Sequence, residues 1–130
     1  MRRTVRILIY GHDTECSAAV QGMQETEALQ RHAIEFRALH DSEAFIEQLI
    51  HWNPSLVVVL AGGAEGMECA TQSRLRRPEL PVFWFSDDRI FGMHAYRMNC
   101  AYFSLKPADT EKLNNAFRRC EHLGIPYFTP

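Results

Sequence analysis

Four polar residues stand where chemistry could occur, each within three residues of the end of an apolar run that is typical of a strand: His12, Asp13, Ser86 and Lys106. A lysine can neutralise an anion, a serine hydroxyl can hydrogen-bond to it, and a carboxylate with an imidazole can bind a metal ion. Two adjacent ligands are too few for a stable metal site. The sequence therefore predicts no resident metal and no cofactor.

Apolar strands alternate with amphipathic helices along the chain, a pattern that indicates a parallel sheet covered by helices. The predicted strands are Val5–Tyr10, Ala33–Ala38, Leu56–Leu60, Val82–Phe85 and Ala101–Leu105. The predicted helices run from about Thr14 to Gln30, from Asp41 or Ser42 to a point before Pro54, from the loop Ala61–Gly66 to Arg77, from Ser86 to Met98, and from Asp109 to Gly124.

The order of the strands is partly readable from their polarity. The second strand alternates apolar Ile34 and Phe36 with charged neighbours, which is typical of an edge, whereas the third and fourth are apolar throughout and belong in the middle. These features predict a doubly wound α/β fold of three layers with the flavodoxin-like order 2-1-3-4-5. Sites in such folds lie at the carboxyl ends of the strands, here near Gly11–Asp13, Leu60, Ser86 and Lys106.

Length and composition predict one ordinary globular domain. The chain has 130 residues, of which 46% are hydrophobic, enough for a single core. Residues 1–123 are predicted to form the domain. The apolar segment at residues 124–130 either docks on it or begins a linker.

Charge and cysteine usage exclude several function classes. The formal net charge is −2, so no general nucleic-acid surface is indicated. The longest apolar run, Leu56–Ala61, is far shorter than the roughly 18 residues of a membrane span, and a cytoplasmic location is expected. The four cysteines form no Cys-x-x-Cys pair, which favours free, mostly buried thiols.

Five segments, in their order and spacing, make nearly the whole chain resemble the receiver domains of bacterial response regulators, the CheY-like family. They are Pro54–Val59, Gly66-Met67-Glu68, Leu80–Ser86, Phe103–Pro107 and the helix cap Asp109. Pro54–Val59 is similar to the family's lead-in to the phosphoacceptor strand, and Gly66-Met67-Glu68 is similar to the start of the following helix. Leu80–Ser86 resembles the strand that ends on the switch Ser/Thr. Phe103–Pro107 resembles the last strand with its aromatic residue, Lys and Pro, and Asp109 matches the usual cap of the last helix. The resemblance also implies a cis peptide bond before Pro107.

The family's chemistry requires carboxylates that this chain lacks. Two acids at the end of the first strand hold Mg²⁺ in receivers, because a carboxylate cannot approach a phosphoryl group without a cation between them. In this chain the positions of those two acids align with Gly11 and His12. The nearest acidic residue, Asp13, lies one position after the second of them. The phosphoacceptor aligns with Leu60, and no Asp lies between Asp41 and Asp87.

The resemblance therefore implies a degenerate pocket: the residues that respond to phosphate are kept (Ser86, Phe103 and Lys106), while the residues that accept it are not. This resembles the pseudo-receivers, which keep the fold for contacts or for other inputs. Lys106 would either reach an anion or Asp13 in the old pocket, or pair with a nearby acid as a structural residue. Ser86 and His12 have ordinary interpretations as well, a strand-end hydroxyl and an exposed loop histidine.

The fourth helix suggests a covered surface. Its apolar residues spread around more than one face, which is more than a core stripe requires. In receivers, the fourth helix, fifth strand and fifth helix form the usual dimer or output surface. A homodimer or a contact with a signalling protein is therefore predicted there, with Phe91, Tyr96 and Tyr102 as candidate anchors; a thick local core is the alternative.

Three functions remain open from the sequence. The first is a phosphorylation-independent, receiver-like signalling module that acts by protein contact or dimerisation, without enzymatic activity. The second is an authentic phosphoreceiver of a two-component system with a displaced acceptor. The third is a flavodoxin-like domain that binds a small ligand through the loops Gly11–Asp13 and Gly62–Gly66.

Overall fold

The computed structural model describes residues 3–128, in which five parallel strands alternate with five α-helices. The strands are β1 (Thr4–Gly11), β2 (Ala33–Leu39), β3 (Leu56–Leu60), β4 (Val82–Ser86) and β5 (Tyr102–Leu105). The helices are α1 (Asp13–Gln24), α2 (Ser42–His51), α3 (Gly63–Arg76), α4 (Gly92–Arg97) and α5 (Thr110–Leu123).

The sheet has the order β2-β1-β3-β4-β5, which confirms the predicted order. Every residue of β3 and β4 is buried, because both strands have a neighbour on each side and helices on each face. The edge strand β2 is only partly buried, as its alternating polarity predicted. All pairings are parallel, so the carboxyl ends of the strands meet at one edge of the sheet.

Two apolar clusters, one on each face of the sheet, form the core. The first joins the sheet to α1 and α5 and contains Phe83, Phe85 and Phe117. The second joins it to α2, α3 and α4 and contains Phe45 and Trp84. A large, fully buried side chain of this kind contributes roughly 1.5–3 kcal/mol to folding, so the two layers hold the strand ends firmly in place.

The helix ends follow local chemistry that the sequence predicted. The side chain of Asp41 accepts a hydrogen bond from the backbone N–H of Ala44, and Asp109 accepts one from Lys112. Gly124 and Asn99 have positive φ angles of 70° and 61°, the left-handed conformation that ends a helix. The peptide bond between Lys106 and Pro107 is cis, as the resemblance implied.

Three predicted helix bounds were wrong. The first helix ends at Gln24, before a separate 3-10 turn at Ala28–Arg31, and the hydroxyl of buried Thr26 bonds to the Met23 carbonyl. The fourth helix is a 3-10 turn at Arg89–Phe91 followed by the short α4, because Ser86 completes β4 and Asp88 caps the turn at Ile90. Finally, α3 begins at Gly63, earlier than predicted.

The C-terminal segment docks on the amino ends of the strands. Tyr127 is buried, its carbonyl accepts a hydrogen bond from Ser55 Oγ at 3.0 Å, and its hydroxyl bonds to Glu121 at 3.0 Å. The Phe128 ring stacks on His32 at 5.8 Å. Thr129 and Pro130, the end of the predicted tail, lie outside the described residues, as do Met1 and Arg2. Within residues 3–128, no helix is both long and apolar enough to cross a membrane.

Candidate functional site

The carboxyl ends of β1 and β3 meet where the sequence placed the site, and they meet through apolar contact. Gly11 pairs with Leu60, and a Cβ atom on Gly11 would lie 2.9 Å from the Cβ of Leu60. Such an approach is tighter than real Cβ atoms show, so a side chain at residue 11 would require movement. Leu60 itself is 2% exposed. The end of β3 is therefore filled by a buried aliphatic side chain.

Lys106, at the end of β5, is held by two carboxylates. Its Nζ lies 2.8 Å from Glu15 on α1 and 3.4 Å from Asp87 after β4. Burial acts to lower the pKa of Lys106, but the hydrogen bond and charge of Glu15, followed by the charge of Asp87, outweigh it and raise that pKa. The ion cluster ties together α1, the β4–α4 loop and β5.

Asp13 is not a partner of Lys106, so that option from the sequence was wrong. Its carboxylate lies 3.3 Å from His40 Nδ1, and both side chains are exposed. The reason is geometric: Asp13 opens α1 on the side of β2, whereas Glu15, two residues later, points toward β5. His12 precedes the helix and is exposed, in keeping with an ordinary loop histidine.

Ser86 lies at the end of β4 and is fully buried. Its hydroxyl accepts a hydrogen bond from the backbone N–H of Asp88 at 3.2 Å, which turns the chain out of the strand. The next residue, Asp87, packs over the β3–α3 loop, because a Cβ on Gly62 would lie 2.7 Å from Asp87 Oδ2. The strand-end hydroxyl thus helps to position a carboxylate of the Lys106 cluster.

A second carboxylate near the site, Glu65, is also occupied. The hydroxyl of Tyr10 donates a hydrogen bond to Glu65 Oε1. Burial, and then this hydrogen bond, raise the pKa of Tyr10. The bond links β1 to the first turn of α3 across the loop Ala61–Gly62, a contact between residues 55 positions apart that no sequence motif marks.

Aromatic rings fill the space behind the site. Trp84 on β4 is fully buried, and its Nε1 donates a hydrogen bond to the Ala61 carbonyl at 2.9 Å. Phe103 meets it edge-on with ring centroids 5.3 Å apart, and Phe91 lies 5.7 Å away. The half-buried Phe103 is therefore held by packing against Trp84.

A groove of about 400 Å³ runs beside the ion cluster, between α1 and the loop that joins β5 to α5. Its lining includes Leu60, Lys106, Ala18, Gly22 and Pro107. Its position differs from the two loops, Gly11–Asp13 and Gly62–Gly66, that the third function open from the sequence would use.

The three candidate anchors of the predicted interface differ in exposure. Tyr96 is 78% exposed on α4, and its neighbours Ile90 and Met93 are also exposed. Tyr102 is half-buried against Phe83 and Phe85 on the edge strand β5. Phe91 packs on Trp84, so it serves the core as much as the surface.

The Lys106 cluster gives the first testable prediction. In a double-mutant cycle of Lys106→Met and Glu15→Gln, we expect a coupling free energy below about 1 kcal/mol, because Glu15 is partly exposed and solvent screens the pair. The raised pKa of Lys106 means that the coupling is present at pH 7 and is lost as the pH rises through the folded-state value, above 10.5. Urea unfolding at low and high salt measures it; a coupling that does not change with salt would contradict this account.

The architecture is that of solved receiver domains. A CpaE2 pilus assembly protein of Sinorhizobium meliloti 1021 superposes with a TM-score of 0.70 at 17% identity, covering 89% of this chain and 99% of that one. A CheY-like receiver domain protein of Methanospirillum hungatei JF-1 does so at 0.68 and 13%, covering 92% and 98%. The pilus assembly protein CpaE of Caulobacter crescentus CB15 does so at 0.67 and 19%, covering 89% and 92%.

No protein-family model matches the chain, and no curated protein matches it. At these identities the similarity to solved structures concerns the fold alone. The strand order and the five surrounding helices agree with it. The chain has the α/β, flavodoxin-like fold of response-regulator receiver domains.

Proposed function

We propose that this protein is a receiver-like signalling module that works without phosphorylation and acts by protein contact. The observation that carries the proposal is Leu60, a buried aliphatic side chain at the end of β3. A hydrocarbon side chain offers no oxygen to attack a phosphoryl donor and no ligand for Mg²⁺. On this proposal, a core side chain occupies the place where a phosphoacceptor would stand.

The remaining polar groups support the same proposal. The charge of Lys106 is neutralised by Glu15 and Asp87, so an incoming anion would have to displace carboxylates. Glu65 is engaged by Tyr10. Within residues 3–128, no group of three or more His, Cys, Asp or Glu side chains could hold a metal ion. The ion cluster joins three elements, as a bound phosphoryl group would, but it is built from the chain itself.

A direct test combines Mg²⁺ with beryllofluoride, a mimic of an acyl phosphate. The emission of Trp84 is followed in a Trp52→Phe background, which leaves one indole two residues from Ser86. We expect no saturable change, because no carboxylate stands at the end of β3. Incubation with acetyl phosphate and measurement of the intact mass should add no phosphoryl group.

The opposite result identifies the second function. A saturable, Mg²⁺-dependent response, or a phosphoryl group mapped to Asp87 or Glu15, would mean that the protein is an authentic phosphoreceiver with a displaced acceptor. The variants Glu15→Gln and Asp87→Asn then show which carboxylate accepts it.

One observation favours a third function, the binding of a small ligand. The groove beside Leu60 and Lys106 has a volume of about 400 Å³, within the range of small-molecule sites. A ligand bound there would raise the melting temperature without Mg²⁺. Replacing Ala18 in the groove wall with Trp should abolish that shift without changing the melting temperature of the free protein by more than a few degrees.

A further inference from the structure

A polar ridge runs along the outward side of α3. Glu68, Gln72 and Arg76 follow one another at intervals of four residues, the spacing that places side chains above one another on a helix. The amide nitrogen of Gln72 donates a hydrogen bond to Glu68 Oε1 at 3.1 Å, and its amide oxygen accepts one from Arg76 Nε at 2.8 Å. The three side chains are thus held in line, with an acid at one end and a base at the other.

The charges at the two ends of this ridge are not neutralised by the fold. Across the part of the chain that the structure describes, Glu68 and Arg76 belong to no ion pair, and both are exposed. A rise of about 12 Å along the helix keeps them from pairing with each other. The neighbouring Arg77, by contrast, is paired with Glu79. The ridge therefore offers one unpaired carboxylate and one unpaired guanidinium group at a fixed separation.

An exposed leucine stands beside the ridge. Leu75 is 71% exposed, and it lies three residues after Gln72 and so on the same side of α3. A depression of about 210 Å³ next to it is lined by Thr71, Arg74, Leu75 and Met98. Apolar surface with charged groups around it is the usual arrangement of a protein–protein interface.

The ridge is complementary to itself when it is turned end for end. Gln72 lies four residues from each charge, so a two-fold axis at Gln72 would set Glu68 of one copy opposite Arg76 of the other, and would do so twice. Each charge lies about 6 Å along the helix from the axis, so both pairs would form at the same separation. The two helices would run antiparallel, which also sets their dipoles in opposite directions.

We propose that α3 is a self-association face, on which a second copy of this chain docks with its own α3 antiparallel. Pairs of Glu68 and Arg76 would form at both ends of the contact, and Leu75 of each copy would enter the depression of the other. The proposal rests on the proposed function, since it names the partner of a module that acts by protein contact. This face differs from the surface for which the sequence predicted Phe91, Tyr96 and Tyr102 as anchors.

The pattern of charge favours a second copy over other partners. An unrelated protein would have to supply an acid and a base at the spacing of α3, whereas a second copy supplies both by symmetry. Nucleic acid is disfavoured, because Glu68 at one end of the ridge would face phosphates.

Sedimentation equilibrium of the wild-type protein tests the association. A contact made by one helix face of each copy is small, so we expect weak, reversible dimerisation, with a mass that rises from one chain toward two between about 10 µM and about 1 mM protein. Raising the salt concentration should weaken it, because the pairs of Glu68 and Arg76 lie at an exposed rim.

Charge reversal identifies the face that is used. Glu68→Arg alone would bring arginines together at both ends of the contact, and Arg76→Glu alone would bring carboxylates together, so each variant should associate about tenfold more weakly or less well still. An equimolar mixture of the two variants restores opposite charges at both ends and should form a heterodimer. The double variant Glu68→Arg/Arg76→Glu restores them within one chain and should dimerise again.

The recovery separates lost association from lost folding. The substituted side chains are exposed, so each variant should keep a melting temperature within a few degrees of that of the wild type. The double variant carries both substitutions, so its return to the dimer would exclude unfolding as the cause of the single losses. Leu75→Gln changes no charge and should weaken the association about fivefold or more by removing the apolar contact.

The matched control is Arg119→Glu, which reverses the charge of an exposed arginine on α5. It should change the association less than about twofold, because that charge is distant and screened. Three results would overturn the proposal: a wild type that stays monomeric over the whole concentration range, single reversals that dimerise like the wild type, or a mixture and a double variant that both stay monomeric. A dimer that Arg119→Glu dissociates would also overturn it, since the contact would then involve α5. None of these measurements uses Mg²⁺ or beryllofluoride, so a failure here is distinct from a failure of the proposed phosphate independence.

Discussion

Replacing Gly66 with alanine is expected to lower the free energy of unfolding by about 3 kcal/mol or more. A Cβ on Gly66 would lie 1.9 Å from the Ala61 carbonyl oxygen, a backbone atom, and 3.0 Å from Trp84 Nε1. Those two atoms form the hydrogen bond that holds the end of β3 against β4. The new methyl group must therefore displace α3 or break that bond.

Gly63 supplies the control for this substitution. It begins the same helix with a φ of 60°, and a Cβ there would meet nothing within 4 Å. Gly63→Ala should lower the free energy of unfolding by only about 1–2 kcal/mol, the cost of a left-handed backbone conformation at a residue with a side chain. Urea unfolding followed by circular dichroism measures both variants. If Gly66→Ala were as stable as Gly63→Ala, the contact between α3 and the Ala61 carbonyl would be looser than described.

Leu60→Asp is expected to lower the free energy of unfolding by about 4 kcal/mol at pH 7. The substitution removes a 2% exposed aliphatic side chain and places a charge among Gly11, Cys16 and the strand ends. Lys106 cannot fully compensate, because two carboxylates already hold it. A carboxylate at the end of β3 thus conflicts with the packing of this particular pocket.

The pH dependence of the stability of Leu60→Asp separates the effect of the new charge from the effect of the lost packing. Burial raises the pKa of the introduced carboxyl above its unfolded value of about 3.9, so the charge penalty is present above the folded-state pKa and disappears as the pH falls toward the unfolded value. Leu60→Asn lacks the charge and should lose the same stability at pH 5 and at pH 7. Equal stabilities of the two variants at pH 7 would indicate that the pocket accommodates a carboxylate.

Much of the fold could be predicted from the sequence because its signals are local. The polarity of β2 and the apolar β3 and β4 determined the strand order, and single residues such as Asp41, Asp109 and Gly124 marked helix ends. The bounds of α1 and α4 were less predictable, because 3-10 turns continue the apolar pattern of a helix.

The partners in the site were harder to predict, because they depend on the directions of side chains from separate elements. Lys106 was identified, but Glu15 was missed: it lies inside α1 and belongs to no motif, and only the crossing of α1 over the sheet brings it to 2.8 Å from the amine. Asp13 appeared the better partner by sequence order alone.

The docking of the C-terminal segment has a consequence for connectivity. The guanidinium carbon of Arg3 lies 4.2 Å from the centre of the Phe128 ring, so the first and last described residues meet at the amino edge of the sheet, opposite the site. A short loop could join them covalently while new ends are opened at an exposed turn. Such a circular permutant should keep the Lys106 cluster, because the packing of the layers fixes its three side chains wherever the chain begins.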